Sequence, residues 1–290
     1  MKHPFQRETH LLTLPDQHLT WYRYTNPAIE PGRRLLLVHG AGVAGRDTWE
    51  MLLAFLAHWH EIVVPDMRGT GDTRYPDGVE HGFVLGQLVG DLGALLNTLQ
   101  WDHFDLGGYS LGGLVSLRLK QQLGARIEKQ FLLESALLDR PSMHETVLLR
   151  ERYSEAAEHL RSTNTEQGIR AFLDTISPQR KTAAKAEDLT ISRLGQRPIG
   201  FAHALDAVTQ AIHHLDRDQL LAAQGDVTSF IGGNSVHAMH QLHRDLADQM
   251  PNWHYFMITG TDHSLPFQKP RQIARIMNEE MVRFMTGRES

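Results

Sequence analysis

No cysteine occurs in the 290-residue chain, so disulfides, thiolate zinc sites and cysteine nucleophiles are excluded together. Nor is there a run of about 18 apolar residues, the length a bilayer-spanning helix needs. Basic residues are in the minority: 29 Lys and Arg stand against 34 Asp and Glu, for a net charge of -5. That balance leaves no basic footprint for nucleic acid or an anionic membrane surface. The N-terminal MKHPFQRETH lacks the apolar core of a secretory leader, which predicts a cytoplasmic protein. Internal repeats and low-complexity linkers are missing as well. What remains is ordinary globular material, 41% hydrophobic and 22% charged, with a mean hydropathy of -0.34. It can bury a sizeable core.

Along the chain, short apolar runs alternate with longer helical patterns. THLLTL (9–14) and LTWYRY (19–24) predict two paired strands around a turn at Pro15-Asp16-Gln17-His18. RLLLVHG (34–40), EIVVPD (61–66), HFDLGGYS (103–110) and KQFLLES (129–135) predict further strands. Helical stretches separate them at 46–57, at 82–99 and onward from Leu111. Strand alternating with helix at this spacing means βαβ units and a mostly parallel sheet. The rhythm breaks between Leu137 and Leu221, where helical periodicity (144–160, 168–176, 200–215) runs without a strand pattern. DVTSFIGG (226–233) and WHYFMITG (253–260) restore the sheet, and a helix over 270–285 closes the chain. The expectation is an α/β core made of 1–136 and 222–290, with 137–221 inserted as a helical cap.

Ser110 occupies a Gly-x-Ser-x-Gly frame set by Gly108 and Gly112. The pattern alone is weak evidence, and its setting strengthens it. Display of a nucleophile requires a strand, a sharp turn and a helix in that order, so that the hydroxyl projects above the sheet's C-terminal edge. Gly108 and Gly112 remove side chains that would collide across the turn. The helix opening at Leu111 aims free N–H groups at the place where an anion would form. A tetrahedral intermediate needs two such donors. The Leu111 N–H supplies one, and the loop in VHGAG (38–42) offers the Ala41 N–H as the other. His237, His240 and His243 recur at helical spacing in VHAMHQLH (236–243). No carboxylate or further ligand frame accompanies them, so a polar helix face is expected there, with no metal.

Four stretches in order, LLLVHGAG, VVPDMRGTGDT, GGYSLGG and TGTDHSLPFQKP, make the chain resemble the α/β-hydrolase superfamily over about residues 30–286. The resemblance implies an eight-stranded, mostly parallel sheet flanked by helices, with a helical cap ahead of the last two strands. It implies the order nucleophile, acid, histidine. His263, in a loop just after the 253–260 run, matches the superfamily's histidine and is the expected general base. Asp66 and Arg68 are implied to shape a loop. The acid is where the chain departs. Most members carry an aspartate in a Gly-x-x-Asp loop after the strand that follows the cap, but IGGNSVH (231–237) offers only Asn234 or Ser235 there. Asp226 stands at the far end of that strand, and Asp262 is too close a neighbour of His263 to bond its ring. A second location used in the superfamily, as in some haloalkane dehalogenases, is the end of the strand after the nucleophile helix. It falls on Glu134. Those enzymes use an aspartate nucleophile where Ser110 stands here, so halide displacement is not expected. A carboxylate directly after an apolar strand is costly to bury unpaired; holding loop N–H groups or capping a helix is its structural alternative.

The expected activity is that of a serine carboxylic-ester hydrolase working through an acyl-enzyme, without a cofactor, on a small-molecule ester with an apolar acyl group. Leu137, Leu138, Met143, Val147 and Leu148 are candidates to line the acyl pocket, although helix packing accounts for the same residues. A thioesterase, a carbon–carbon hydrolase or lyase of the same fold, and a non-catalytic ligand binder are the alternatives. The missing late aspartate favours the last of these, and an intact Ser110, His263 and oxyanion loop argue against it.

Overall fold

Eight strands build one sheet: β1 (Gln6–Thr13), β2 (His18–Thr25), β3 (Arg34–Val38), β4 (Glu61–Pro65), β5 (Phe104–Tyr109), β6 (Ile127–Leu133), β7 (Asp226–Gly232) and β8 (Trp253–Ile258). Their order is β1-β2-β4-β3-β5-β6-β7-β8. The structure, a computed structural model, describes residues 3–181 and 184–289. β1 and β2 pair antiparallel, with Thr13 opposite His18 at the expected turn, and β2 joins β4 antiparallel. Every other pairing, from β4 through β8, is parallel.

Parallel strands are covered on both faces, which is why they read as nearly continuous apolar runs. Leu35 and Leu37 of β3 share a core with α1 (Gly45–Leu53), whereas Leu36 and Val38 share the opposite core with α2 (Leu85–Leu99) and α3 (Leu111–Leu123). Each such leucine contributes about 1.5–3 kcal/mol by leaving water. A one-residue slip would exchange the two faces, so the register is tightly specified.

Between β6 and β7 the chain runs through α4 (Met143–Arg161), α5 (Thr165–Ile176), α6 (Ala184–Leu194), α7 (Pro198–His214) and α8 (Arg217–Ala222). α4 opens with a capping box in which the Glu145 N–H donates to Ser142 Oγ and the Ser142 N–H donates to the Glu145 carboxylate. α4, α5 and α7 bury a small core that includes Tyr153, Phe172, Leu173 and Phe201, joined by Leu194 of α6 and by Val43 from the loop after β3. α6 and α8 are additional to the helices the sequence predicts here; α8, with six residues, is too short for a periodicity to register. α7 is fastened to the loop after β4. Gly69 and Gly200 meet backbone to backbone, so that a Cβ on Gly200 would lie 2.2 Å from the Gly69 carbonyl oxygen. Arg197 donates to the carbonyls of Thr70 at 2.7 Å and Thr73 at 2.6 Å, and pairs with Glu80.

α9 (His237–Gln249), α10 (Leu265–Gln268) and α11 (Pro270–Glu289) complete the chain. α9 corrects the expectation of a polar histidine face, because His240 and His243 are buried. His243 Nε2–H donates to the Leu138 carbonyl at 3.1 Å, and burial pulls its pKa down to about 4. A neutral imidazole with a carbonyl partner is tolerated inside the protein, and the partner comes from a distant segment. Among the described residues, no helix is long and apolar enough to cross a membrane.

The strand order fixes where ligands can meet the sheet. β4 lies on one side of β3 and β5 on the other, and the crevice beyond the carboxyl ends at such a reversal is where open α/β sheets bind ligands. The turn after β5 sits there and depends on its glycines. A Cβ on Gly112 would lie 2.2 Å from the Val38 carbonyl oxygen, and one on Gly108 2.4 Å from that of Gly112. Gly112→Ala is therefore expected to lower stability by about 3 kcal/mol, the upper end of overpacking effects. Urea unfolding should show a lower midpoint at unchanged slope; an unchanged midpoint would show that the turn relaxes freely.

Candidate active site

Ser110 follows β5 directly and holds φ 53°, ψ -117°. Such a conformation costs a residue with a Cβ about 1–3 kcal/mol unless its surroundings enforce it. Here they do. The Ser110 N–H donates to the Leu133 carbonyl at 3.0 Å, while its own carbonyl accepts from the N–H groups of Gly113 at 2.9 Å and Ala136 at 3.0 Å. The hydroxyl is thereby presented at the sheet's C-terminal edge, beside the first turn of α3.

His263 lies in the loop after β8, with Nε2 3.1 Å from Ser110 Oγ and Nδ1 2.7 Å from Glu134 Oε2. An ionised carboxylate can only accept, so the Nδ1 atom carries the proton and Nε2 is left to accept from the serine hydroxyl. Tyr109 Oη–H donates to the His263 carbonyl at 2.9 Å, and the two rings lie 5.1 Å apart. Asp262 is not a partner of the imidazole. It accepts from the Ser264 N–H and from Gln268 Nε2, which orders the loop.

Glu134 is the first residue past β6 and is 1% exposed. Its N–H donates to the Phe230 carbonyl of β7 at 3.0 Å. Its Oε1 accepts from the Gly232 N–H at 2.7 Å and from the Ser235 hydroxyl. Burial alone would push this carboxyl up, but the His263 contact, the Ser235 hydroxyl and the Gly232 N–H outweigh it and hold the group below the usual carboxylate range. Ser235, an uncharged occupant of the position where an aspartate is expected, thus has a role as a donor to a carboxylate arriving from another strand. Neither Ser235 nor Tyr109 is singled out for this by the sequence; the only trace is a hydroxyl in the aspartate's place.

Ala41 and Leu111 border the same space as Ser110. Among the described residues neither N–H has an acceptor within the chain, as expected of a loop and a helix start that face a ligand. The Ala41 loop is held by His39, which is buried. Its Nδ1–H donates to the Gly40 carbonyl at 2.7 Å, and its Nε2 accepts from the Met67 N–H at 2.8 Å. Burial pushes the His39 pKa down, which suits an imidazole with one donor and one acceptor nitrogen in use.

A cavity of about 220 Å³ opens beside Ser110 and His263, walled by Val43, Phe172, Leu173, Ile176, Leu194 and Phe267. The expected acyl-pocket residues do not form it. Leu137 and Leu138 are fully buried in the core below, Met143 and Val147 pack against that core, and Leu148 is exposed. The apolar wall comes instead from α5, the end of α6, the loop after β3 and the short helix α10. Arg180, also on the lining, is engaged by Asp174 and Glu187.

A family model described as "Alpha/beta hydrolase family" matches residues 35–276. Among curated proteins, 2-hydroxy-6-oxo-2,4-heptadienoate hydrolase from Pseudomonas putida is 32% identical over 104 residues, which are 35% of this chain and 37% of that protein. The match therefore spans well under half of that relative's length. Among solved structures, MenH from S. aureus superposes with a TM-score of 0.76 at 16% identity over 94% of this chain and 100% of the other. A structure from work on carboxylesterases of Nitrososphaera gargenis gives 0.74 at 17% identity over 96% and 100%. At these identities the structural matches speak to the fold.

Glu134→Gln removes the charge while keeping the shape. Because the native value of Glu134 is depressed, its ionised form adds stability that is present above the unfolded-chain value of about 4.3 and lost as pH falls through the native value. At pH 7 the wild-type chain should exceed Glu134→Gln in urea stability by on the order of 1 kcal/mol, and the gap should close toward pH 3. A gap that does not vary with pH would argue against an ionised carboxylate.

Proposed function

Because the chain belongs to the alpha/beta hydrolase family, we propose that it is a serine hydrolase of carboxylic esters, with Ser110 as nucleophile, His263 as general base and Glu134 as the acid. The unbroken run of hydrogen bonds from Glu134 through His263 to Ser110, at the edge of a cavity with apolar walls, carries this reading. Ser110 Oγ attacks the ester carbonyl as its proton passes to His263 Nε2. Glu134 keeps the ring oriented and offsets the imidazolium charge. The N–H groups of Leu111 and Ala41 hold the oxyanion that develops. His263 then gives its proton to the departing alcohol; it next takes one from water as that water attacks the acyl carbonyl, and returns it to Ser110 Oγ as the carboxylic acid leaves. Residues 137–221 act as the cap, with α5 and α6 lining the cavity and taking up an apolar part of the substrate. The chemistry is complete with side chains, backbone and water.

The test is hydrolysis of p-nitrophenyl acetate, butyrate and octanoate by wild type, Ser110→Ala and Glu134→Gln. Wild type should turn over at least one ester, and Ser110→Ala should fall to background. Glu134→Gln should lose about 10³–10⁴ in kcat, because an amide in the carboxylate's place favours the wrong imidazole tautomer. Near-normal turnover in Glu134→Gln would remove the acid assignment alone. Inertness on all three esters, together with no labelling of Ser110 by a fluorophosphonate, would sink the serine-hydrolase reading.

A further inference from the structure

A second cavity, of about 20 Å³, also reaches Ser110, His263, Glu134 and Ser135, and its further polar lining is Asp139, Arg150 and Tyr153. All three are buried, at 5%, 4% and 1% exposure. Arg150 is accounted for. Its Nε donates to Thr209 Oγ1 at 3.1 Å, an Nη donates to the Leu205 carbonyl at 2.9 Å, and the guanidinium lies 4.2 Å from the centre of the Tyr153 ring. The other two are not. Asp139 Oδ1 and Tyr153 Oη are both buried without a hydrogen-bond partner. A buried polar atom left bare is destabilising, and native interiors rarely keep two of them on one cavity. The ester hydrolysis derived above uses neither group.

The volume suits one or two water-sized groups, so water can satisfy both atoms in the resting protein. The same cavity is bordered by the nucleophile, so the substrate itself displaces that water. We propose that Asp139 and Tyr153 form a subsite for a hydroxyl group on the carbon next to the scissile carbonyl, making esters of short 2-hydroxy acids the preferred substrates. The proposal rests on the serine-hydrolase reading. A hydroxyl both donates and accepts. It can donate to the Asp139 carboxyl and accept from the Tyr153 hydroxyl, while a methyl group of the same size would leave both atoms bare. The acyl part is then small and polar, and the apolar part of the ester is the alcohol, lying in the 220 Å³ cavity.

The test compares kcat/KM for p-nitrophenyl glycolate and p-nitrophenyl propionate, which differ only in hydroxyl against methyl. Relative to spontaneous hydrolysis, wild type should favour the glycolate by about tenfold or more, as two net hydrogen bonds allow. Tyr153→Phe and Asp139→Leu should each bring the ratio back toward the spontaneous one. The greater intrinsic reactivity of the glycolate is the same for every variant, so the change in ratio reports the subsite. Loosening of the fold would instead lower both rates together. A wild type without the preference overturns the subsite even where a variant fails to fold, and so does a ratio that both variants leave unmoved; ester hydrolysis would stand in either case. Absence of all turnover, with Ser110 refusing a fluorophosphonate, overturns the underlying reading and the subsite with it.

Discussion

The Glu134 carboxylate has almost no water to share its charge, and three separate stretches of chain are tied together by that fact. An isolated anion in such a place would protonate or distort the fold. It persists because donors converge on it from the end of β7 (the Gly232 N–H), from the loop after β7 (Ser235) and from the loop after β8 (His263). Withdrawal of any one leaves a buried charge underpaired, and breaking such an arrangement is far more damaging than never having built it. The same carboxylate selects the imidazole tautomer, so the free nitrogen that faces Ser110 is a consequence of how the anion is satisfied. From the other side, Tyr109 at the end of β5 holds the His263 carbonyl. The orientation of the histidine is therefore set from the ends of β5 and β6, through Tyr109 and Glu134.

Geometry also explains why this carboxylate belongs to a glutamate. Neighbouring strands lie about 4.8 Å apart. β6 is next to β5, which carries Ser110, but two strands from β8, which carries the histidine loop. A side chain leaving the end of β6 must pass over the end of β7 to reach His263. Glutamate has one methylene more than aspartate for that crossing, and the positive φ of 40° at Glu134 turns the backbone where the strand ends. The carboxylate comes to rest beside Gly232 and Ser235, in the loop where the superfamily resemblance leads one to expect an aspartate. Against that expectation, the carboxylate lies beside the same loop and is delivered by a different strand, β6.

That relocation marks the boundary of what the sequence discloses. Strands buried on both faces announce themselves as apolar runs, and the turn at Pro15-Asp16 and the glycines around Ser110 are local signals, so the sheet and the serine turn were legible. Glu134 was legible as a strand-end carboxylate needing a partner, whereas its donors belong to segments about 100 residues away and leave no trace in spacing. The cavity wall was misplaced for the same reason. Leu137 and Leu138 look like pocket residues because they follow the strand that ends near Ser110, yet they turn down into the core, and Phe172 and Phe267 arrive from elements whose docking no periodicity specifies. Histidines spaced along a helix read identically whether they face water or, like His243, bond a carbonyl inside.

The inserted helices divide their labour according to how they are held. α7 is fixed to the core by a backbone contact between Gly69 and Gly200 and by Arg197. α4 packs against α7 through Arg150, which reaches the Leu205 carbonyl and Thr209. This anchored pair carries Arg150 and Tyr153, so the shape of the small polar cavity is tied to the rigid part of the molecule. α6 is held differently. Leu194 at its end is buried in the core shared with α4, α5 and α7, and its Glu187 pairs with Arg170 and Arg180; the more exposed of the two pairs, with Arg170, contributes about 0–1 kcal/mol. Leu189 and Arg193 of the same helix line the larger cavity. Under the proposed function, discrimination at the carbonyl end of a substrate would rest on the anchored α4–α7 pair, while α6 lines the larger cavity. On that proposal, changes in α6 would alter what the larger cavity accepts and leave the hydrogen bonds from Glu134 through His263 to Ser110 intact.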